Sequence, residues 1–277
     1  MKVFPAVSFL AFAAAAAYAA PADWAAAKEI SPGVRYREFS AEKPRPMKCY
    51  MVRVDLTRNF LLTTAKGTKR ERTLEFARRL REAGTNVVVA VNTCPWDGGI
   101  GDDPASITNH MPNGMNVSNG EIVTARKVRG WLDGFFGVRT DGRVEIFDEP
   151  PVGRLGGYRI LINGYAVVLK EGKAFNRRND RNLHPRTAFG LSRDRRYLFL
   201  LAVDGRQKNW SHGADYADVA KFMLEAGAWD AANMDGGGST TLVVFDGAAG
   251  KMKMVNRHDV LRMYSRAVSI NLAVVPK

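Results

Sequence analysis

The apolar positions fall into short runs whose period switches between two and about 3.6, and the switches outline the elements. Residues 34–39 read as a short strand. Residues 49–56 alternate in part, and 60–64 follow as a second strand across the turn Thr57-Arg58-Asn59. Residues 73–83 predict a helix, because Phe76, Leu80 and Ala83 share one face and Gly84 stands where a left-handed residue ends a helix. The apolar run 86–91 has strand length and ends at Asn92. Asp141-Gly142 separates runs 135–139 and 144–147, and Asn163-Gly164 separates 158–162 and 165–169; both pairs predict tight hairpins. Residues 187–191 and 197–203 are strands across the charged turn 192–196. Asp215 caps a second helix, with Asp218 as an imperfect capping box. Val219, Phe222, Met223 and Ala226 form its core stripe, and Gly227 stops it. A β-branched run follows residue 240, and 267–275 is one more strand.

Strands outnumber helices, and tight turns join many of them. The expectation is an α+β fold, with a mixed, largely antiparallel β-sheet core and a few packed helices. One domain over 21–277, with 21–48 as a lead-in, accounts for the length. Residues 93–115 are irregular, rich in Gly, Pro, Asn and Asp, and long enough to read as a functional loop.

The first twenty residues stand apart. A positive start at Met1-Lys2 precedes an alanine-rich apolar run and the A-x-A-like site Ala17-Tyr18-Ala19. The run is short for a membrane anchor. The expectation is a cleaved signal peptide (1–20), a mature start near Ala19-Ala20, a secreted or periplasmic protein and no stable membrane insertion. Two cysteines, Cys49 and Cys94, are too few for a disulfide framework; one disulfide and two buried thiols both remain open.

A net charge of +13 favours polyanionic partners such as phosphate-bearing envelope polymers. The basic residues are scattered, and the denser run from Lys66 to Arg81 reads equally well as a solvated helix face. No nucleic-acid motif accompanies the charge.

The chemistry concentrates at Asn233-Met234-Asp235-Gly236-Gly237-Gly238-Ser239-Thr240. Successive glycines suit a backbone that bends sharply or lies against a ligand, and Asp235 stands at the mouth of that bend. A tight turn capped by a solvated aspartate is the alternative. Two helix–Gly–strand units echo each other: Leu80–Gly84 leads to Asn92, and Met223–Gly227 leads to Asp235. Neighbouring strands would bring those two ends together. The histidines His110, His184, His212 and His258 form no zincin pair, and no G-x-S-x-G elbow, P-loop or dinucleotide fingerprint occurs. Carboxylate chemistry beside arginines remains, with His184-Pro185-Arg186-Thr187 entering one strand and Asp204-Gly205-Arg206 leaving the next.

Pro185-Arg186-Thr187-Ala188-Phe189-Gly190, Val203-Asp204-Gly205-Arg206 and Asn233–Thr240, in that order, resemble the phosphodiester glycosidase family over roughly residues 86–275. The resemblance implies hydrolysis of a sugar-1-phosphodiester in an N-acetylglucosamine-type phosphoglycan or cell-wall polymer. It implies Asp235 in the active site, a loop of Gly236, Gly237, Gly238 and Ser239, and site positions at Arg186, Asp204, Arg206, Asn92 and Arg266. Thr93-Cys94-Pro95-Trp96 stand where the family usually has glycine and aromatic residues. On this reading Asp235 is nucleophile or base with Asp204 as partner. Arg186, Arg206 and the loop amides hold phosphate, with surface ion pairs as the alternative for the arginines; His184 orients Asp204, meets substrate or is a plain strand-end residue, and Trp96 or Trp210 stacks on a sugar while the other is core. No cofactor or metal is required, although a Ca or Mg ion bridging Asp235, Asp204 and phosphate is compatible with the oxygen ligands. The rival reading is a non-catalytic secreted module that binds anionic polysaccharide.

Overall fold

The computed structural model describes residues 23–96, 111–128, 130–175, 180–258 and 265–277. The expected leader and its cleavage site, and most of the irregular loop 93–115, lie outside the described residues.

In chain order the first elements are β1 (Lys28–Ser31), β2 (Val34–Ala41), β3 (Met47–Asp55), β4 (Asn59–Thr63), α1 (Thr73–Glu82) and β5 (Val89–Asn92). Next come β6 (Met115–Ser118), β7 (Glu121–Ala125), β8 (Gly134–Arg139), β9 (Val144–Phe147), β10 (Tyr158–Gly164), β11 (Ala166–Lys170) and β12 (Lys173–Ala174). The last are β13 (Arg186–Leu191), β14 (Tyr197–Val203), α2 (Tyr216–Ala226), β15 (Asp230–Asn233), β16 (Leu242–Asp246), β17 (Lys251–Met254) and β18 (Asn271–Pro276). They build an eight-stranded sheet β1-β2-β3-β14-β13-β15-β11-β12 and two five-stranded sheets, β7-β6-β10-β8-β9 and β17-β16-β5-β18-β4.

The fold is predominantly β, with only two α-helices among the described residues. Every strand pairing among those residues is antiparallel, so the expected mixed sheet is not what forms. Period-two patterning explains how three sheets share one interior. Along β14, Leu198, Leu200 and Ala202 enter the central core, while Phe199, Leu201 and Val203 face α2. Along β18, Leu272 and Val274 join the central core, and Ala273 and Val275 pack under α1. Strands buried on both faces lack polar alternation, which is why these runs are continuously apolar in sequence.

The second helix follows its sequence signals closely. Asp218 N donates to Asp215 Oδ1 at 2.9 Å and Asp215 N to Asp218 Oδ2 at 3.0 Å, so the capping box is complete. Gly227 ends the helix at φ 98°. Trp24, in the lead-in, donates its indole N–H to Ala226 O at 2.9 Å and anchors that segment to the helix end. Cys49 and Cys94 are both buried free thiols.

Two of the three Asn-Gly pairs behave differently from each other. Asn119 and Gly120 both take positive φ, 50° and 91°, and turn β6 into β7, a hairpin outside the sequence expectations. Asn163-Gly164 makes no hairpin, which corrects the expectation: β10 pairs with β6 and β8, whereas β11 pairs with β12 and β15 of another sheet. Gly164 is needed for closeness. A Cβ there would lie 2.7 Å from Met234 Sδ and 2.8 Å from Asn233 O. Crossing from one sheet to the next at this point lays the chain against the strand that carries the glycine loop.

Gly164→Ala should therefore destabilise the protein by about 1–3 kcal/mol through overpacking, read as a lower denaturant midpoint at unchanged slope. An exposed hairpin turn would instead tolerate alanine with little change.

Candidate functional site

Asn92 and Asp235 meet at the centre of the site, but not as the ends of neighbouring strands, because β5 and β15 lie in different sheets. Asn92, the last residue of β5, donates from Nδ2 to Asp235 O at 2.7 Å, and Asp235 N donates to Thr93 O at 2.7 Å. Asn92 Oδ1 accepts from Thr187 Oγ1 at 2.8 Å and from Thr241 N at 3.0 Å. Its amide is thus committed to holding the frame. Asn92 is fully buried and does not line the cavity, so its role is positional.

Past this joint opens a cavity of about 620 Å³. Asp235, Gly236, Gly237, Gly238, Arg186, Arg206, Arg266 and His184 all line it. The sequence candidates that it gathers are therefore one acid, three guanidinium groups, one imidazole and the glycine loop. Asp235 is only 8% exposed, and burial raises its pKa to about 6. The Ser239 hydroxyl, the charge of Arg266 and the Gly236 amide oppose that rise. Ser239 itself is buried behind the loop.

Arg186 is held rigidly at the start of β13. Its Nε donates to Ala214 O at 2.9 Å and its Nη2 to Asn182 O at 2.7 Å, with Asp180 Oδ2 at 3.4 Å. Tyr216 lies under the guanidinium at 4.6 Å. Arg206 has a left-handed backbone, φ 59°, that turns its side chain back over the glycine loop. A Cβ on Gly237 would come within 3.3 Å of Arg206 Nη2, and Gly237 itself takes φ 61°. A Cβ on Gly236 would lie 2.5 Å from Pro185 O. Bare backbone is needed at both positions because a strand and a guanidinium close on them. One expectation changes here: the Gly237 amide donates to Pro185 O at 2.9 Å, so it fastens the loop and is not an anion donor.

Arg206 Nη2 lies 3.1 Å from His184 Nδ1. A guanidinium only donates, so Nδ1 accepts and the ring proton sits on Nε2. Burial, with the charges of Arg186 and Arg206, lowers the His184 pKa and keeps the ring neutral.

Asp204 is a correction. It is fully buried outside the cavity lining. Its Oδ2 accepts from Trp210 Nε1 at 2.7 Å and Tyr50 OH at 3.1 Å, and its Oδ1 from Arg257 N at 2.9 Å. Burial raises its pKa against those donors and the Asn256 side chain. With its oxygens so occupied, Asp204 anchors the segment carrying Arg206. It stands in no position to partner Asp235, to be oriented by His184 or to bridge a cation with Asp235. Trp210 is used on Asp204, and Trp96 sits under Arg70 at 3.8 Å; neither ring lines the cavity.

The aromatic lining comes from residues that the sequence did not single out. Trp131 and Tyr165 stack at 5.7 Å and 27°, and both line the cavity with Tyr216. Asp180, its other carboxylate, is kept below the usual range against the effect of burial by Asn182 and Arg186. None of these belongs to a motif-like stretch, and only the fold brings them in.

A family model described as phosphodiester glycosidase matches residues 85–275, most of the chain. The chain belongs to the phosphodiester glycosidase family. A bovine N-acetylglucosamine-1-phosphodiester alpha-N-acetylglucosaminidase is 32% identical over a 152-residue match that covers 47% of this chain and 28% of the bovine protein. The chain thus matches little more than a quarter of that relative's length. The zebrafish N-acetylglucosamine-1-phosphodiester alpha-N-acetylglucosaminidase catalytic domain, auto-inhibited by its pro-peptide, superposes with a TM-score of 0.64 at 20% identity. That match covers 90% of this chain and 86% of the zebrafish chain. A protein from Synechocystis shares the fold at a TM-score of 0.60 and 12% identity, covering 89% of this chain and 63% of the other.

The raised pKa of Asp235 gives the protein a stability signature. The folded state holds the Asp235 proton up to about pH 6, whereas the unfolded chain releases it near the ordinary value of 3.8. Stability is therefore greatest below that lower value and is lost as pH rises through about 6. Asp235→Asn should remove this loss and raise stability at neutral pH by on the order of 2 kcal/mol. Denaturant unfolding of both proteins between pH 4 and 8 checks it.

Proposed function

We propose that the protein hydrolyses a sugar-1-phosphodiester, in a phosphorylated glycan or cell-envelope polymer carrying an N-acetylglucosamine-type sugar. It does so outside the cytoplasm, after the alanine-rich leader is removed near Ala19-Ala20. The observation that carries the reading is one buried acid with a raised pKa in the same cavity as Arg186, Arg206 and Arg266. Family membership supports it.

The substrate phosphate carries negative charge, and guanidinium forks suit its oxygens. Arg206, steadied by His184 and seated on the glycine loop, and Arg266 hold the phosphate, with Arg186 fixing the wall behind. Phosphate is a fair leaving group, so protonation of the departing oxygen contributes less than for an ordinary glycoside. Asp235 acts as base. It takes a proton from water, the water oxygen bonds to the anomeric carbon, and the bond from that carbon to the phosphate oxygen breaks. The electron pair leaves with phosphate, which the arginines stabilise, and Asp235 returns its proton to solvent. A base with a pKa near the working pH is well matched to this task. The reaction as written needs no cofactor.

Hydrolysis of an N-acetylglucosamine-1-phosphodiester in oxygen-18 water should place label in the sugar and none in the phosphate. Turnover should rise as pH passes about 6 and level off above it. Asp235→Asn should lower kcat by about 10³-fold or more while still binding substrate. Label in phosphate, or a wild-type protein that binds without turnover, overturns the proposal.

A further inference from the structure

Asn233 stands two residues before Asp235 at the end of β15 and lines the same cavity. Its Nδ2 donates to Met234 O at 2.8 Å. A backbone carbonyl can only accept, so this bond fixes the amide with its nitrogen toward Met234 and its oxygen the other way. That oxygen, Oδ1, is buried and has no hydrogen-bond partner among the described residues. Asn233 itself is fully buried. A buried acceptor left unpaired costs stability, and such groups are tolerated chiefly where a function uses them.

Aromatic surface lies beside Asn233 in this cavity. Asn233 O accepts from Tyr165 N at 2.9 Å, and the Tyr165 ring stacks on Trp131, which is 42% exposed. An aromatic platform beside a neutral acceptor suits a sugar ring, whose C–H face packs on aromatic surface and whose hydroxyl groups donate. It does not suit an ionised phosphate, which has no proton to offer an acceptor.

We infer that Asn233 Oδ1 accepts a hydrogen bond from an uncharged donor on the sugar, a hydroxyl or an acetamido N–H beside the anomeric carbon. The residue thereby selects which sugars the site takes. The Trp131–Tyr165 side of the cavity is the sugar side, and the Arg206–Gly237 side is the phosphate side. This inference rests on the glycosyl phosphodiester reading above. Sites built to pair a polar group discriminate strongly against analogues that leave it unpaired.

The test is kcat/KM for wild type and Asn233→Ala on one series of sugar-1-phosphodiesters: 2-acetamido, 2-hydroxy, 2-deoxy and 3-deoxy. Wild type should lose about 10-fold or more on one member that lacks the donor, and Asn233→Ala should treat that member and its parent within about 2-fold of each other. Should the alanine variant not fold, Asn233→Ser carries the same comparison. A flat wild-type series overturns the inference, and so does a variant that loses the same factor on every substrate. Wild type that turns over no member of the series overturns the proposed activity itself and this inference with it. A series that is turned over without selection at Asn233 overturns the inference alone.

Discussion

A buried carboxylate is held in place by backbone. The charge of Arg266 and the Ser239 hydroxyl act on the Asp235 carboxyl, and its main chain is clamped, the carbonyl by Asn92 Nδ2 and the amide by Thr93 O. Burial of a charge is costly, so the acid keeps its proton to a higher pH, which is the property that the proposed base role uses. Two sheets must meet over the shared core for this to happen, because β5 and β15 reach the joint from different sheets. The same closure draws Pro185 and Arg206 against the glycine loop, and only glycine fits there. Fold, loop composition and the state of the acid are one constraint seen at three scales.

The charge of the chain is less of a polyanion-binding surface than its total suggests. Arg53 lies over Trp24 and Tyr197, Arg81 over Phe245 and Arg193 over Trp229. These arginines cover aromatic surface with their planar groups, which is packing as much as charge. In the basic run at α1, Arg79 pairs with Glu71 and Arg72 with Glu75, as a solvated helix face would. The guanidinium groups that bear on chemistry are the few placed at the cavity.

Much of this was legible in the sequence where local rules suffice. Gly227 and the Asp215–Asp218 box announced α2, and Asp141-Gly142 announced the hairpin of β8 and β9. Asn163-Gly164 misled because a turn signal and a close-approach glycine look alike without the neighbouring chain. Asn119-Gly120 escaped because its flanks, Asn116 and Ser118, are polar yet buried by hydrogen bonds to Thr124 and Thr63. Asp204 sits in a segment as motif-like as that of Asp235, and only its donors reveal an anchor. Trp131 and Tyr165 could not be found from spacing, since their stacking joins segments that no local period links.

The central claim is that Asp235 and an arginine-bound phosphate share one small space. Titration of the Asp235 carboxyl carbon by NMR, with and without inorganic phosphate, tests it most directly. The account predicts a pKa of about 6 for the free protein and a further rise when phosphate is bound, because a second negative charge disfavours ionisation. A value near 3.8 that phosphate leaves unmoved would contradict it.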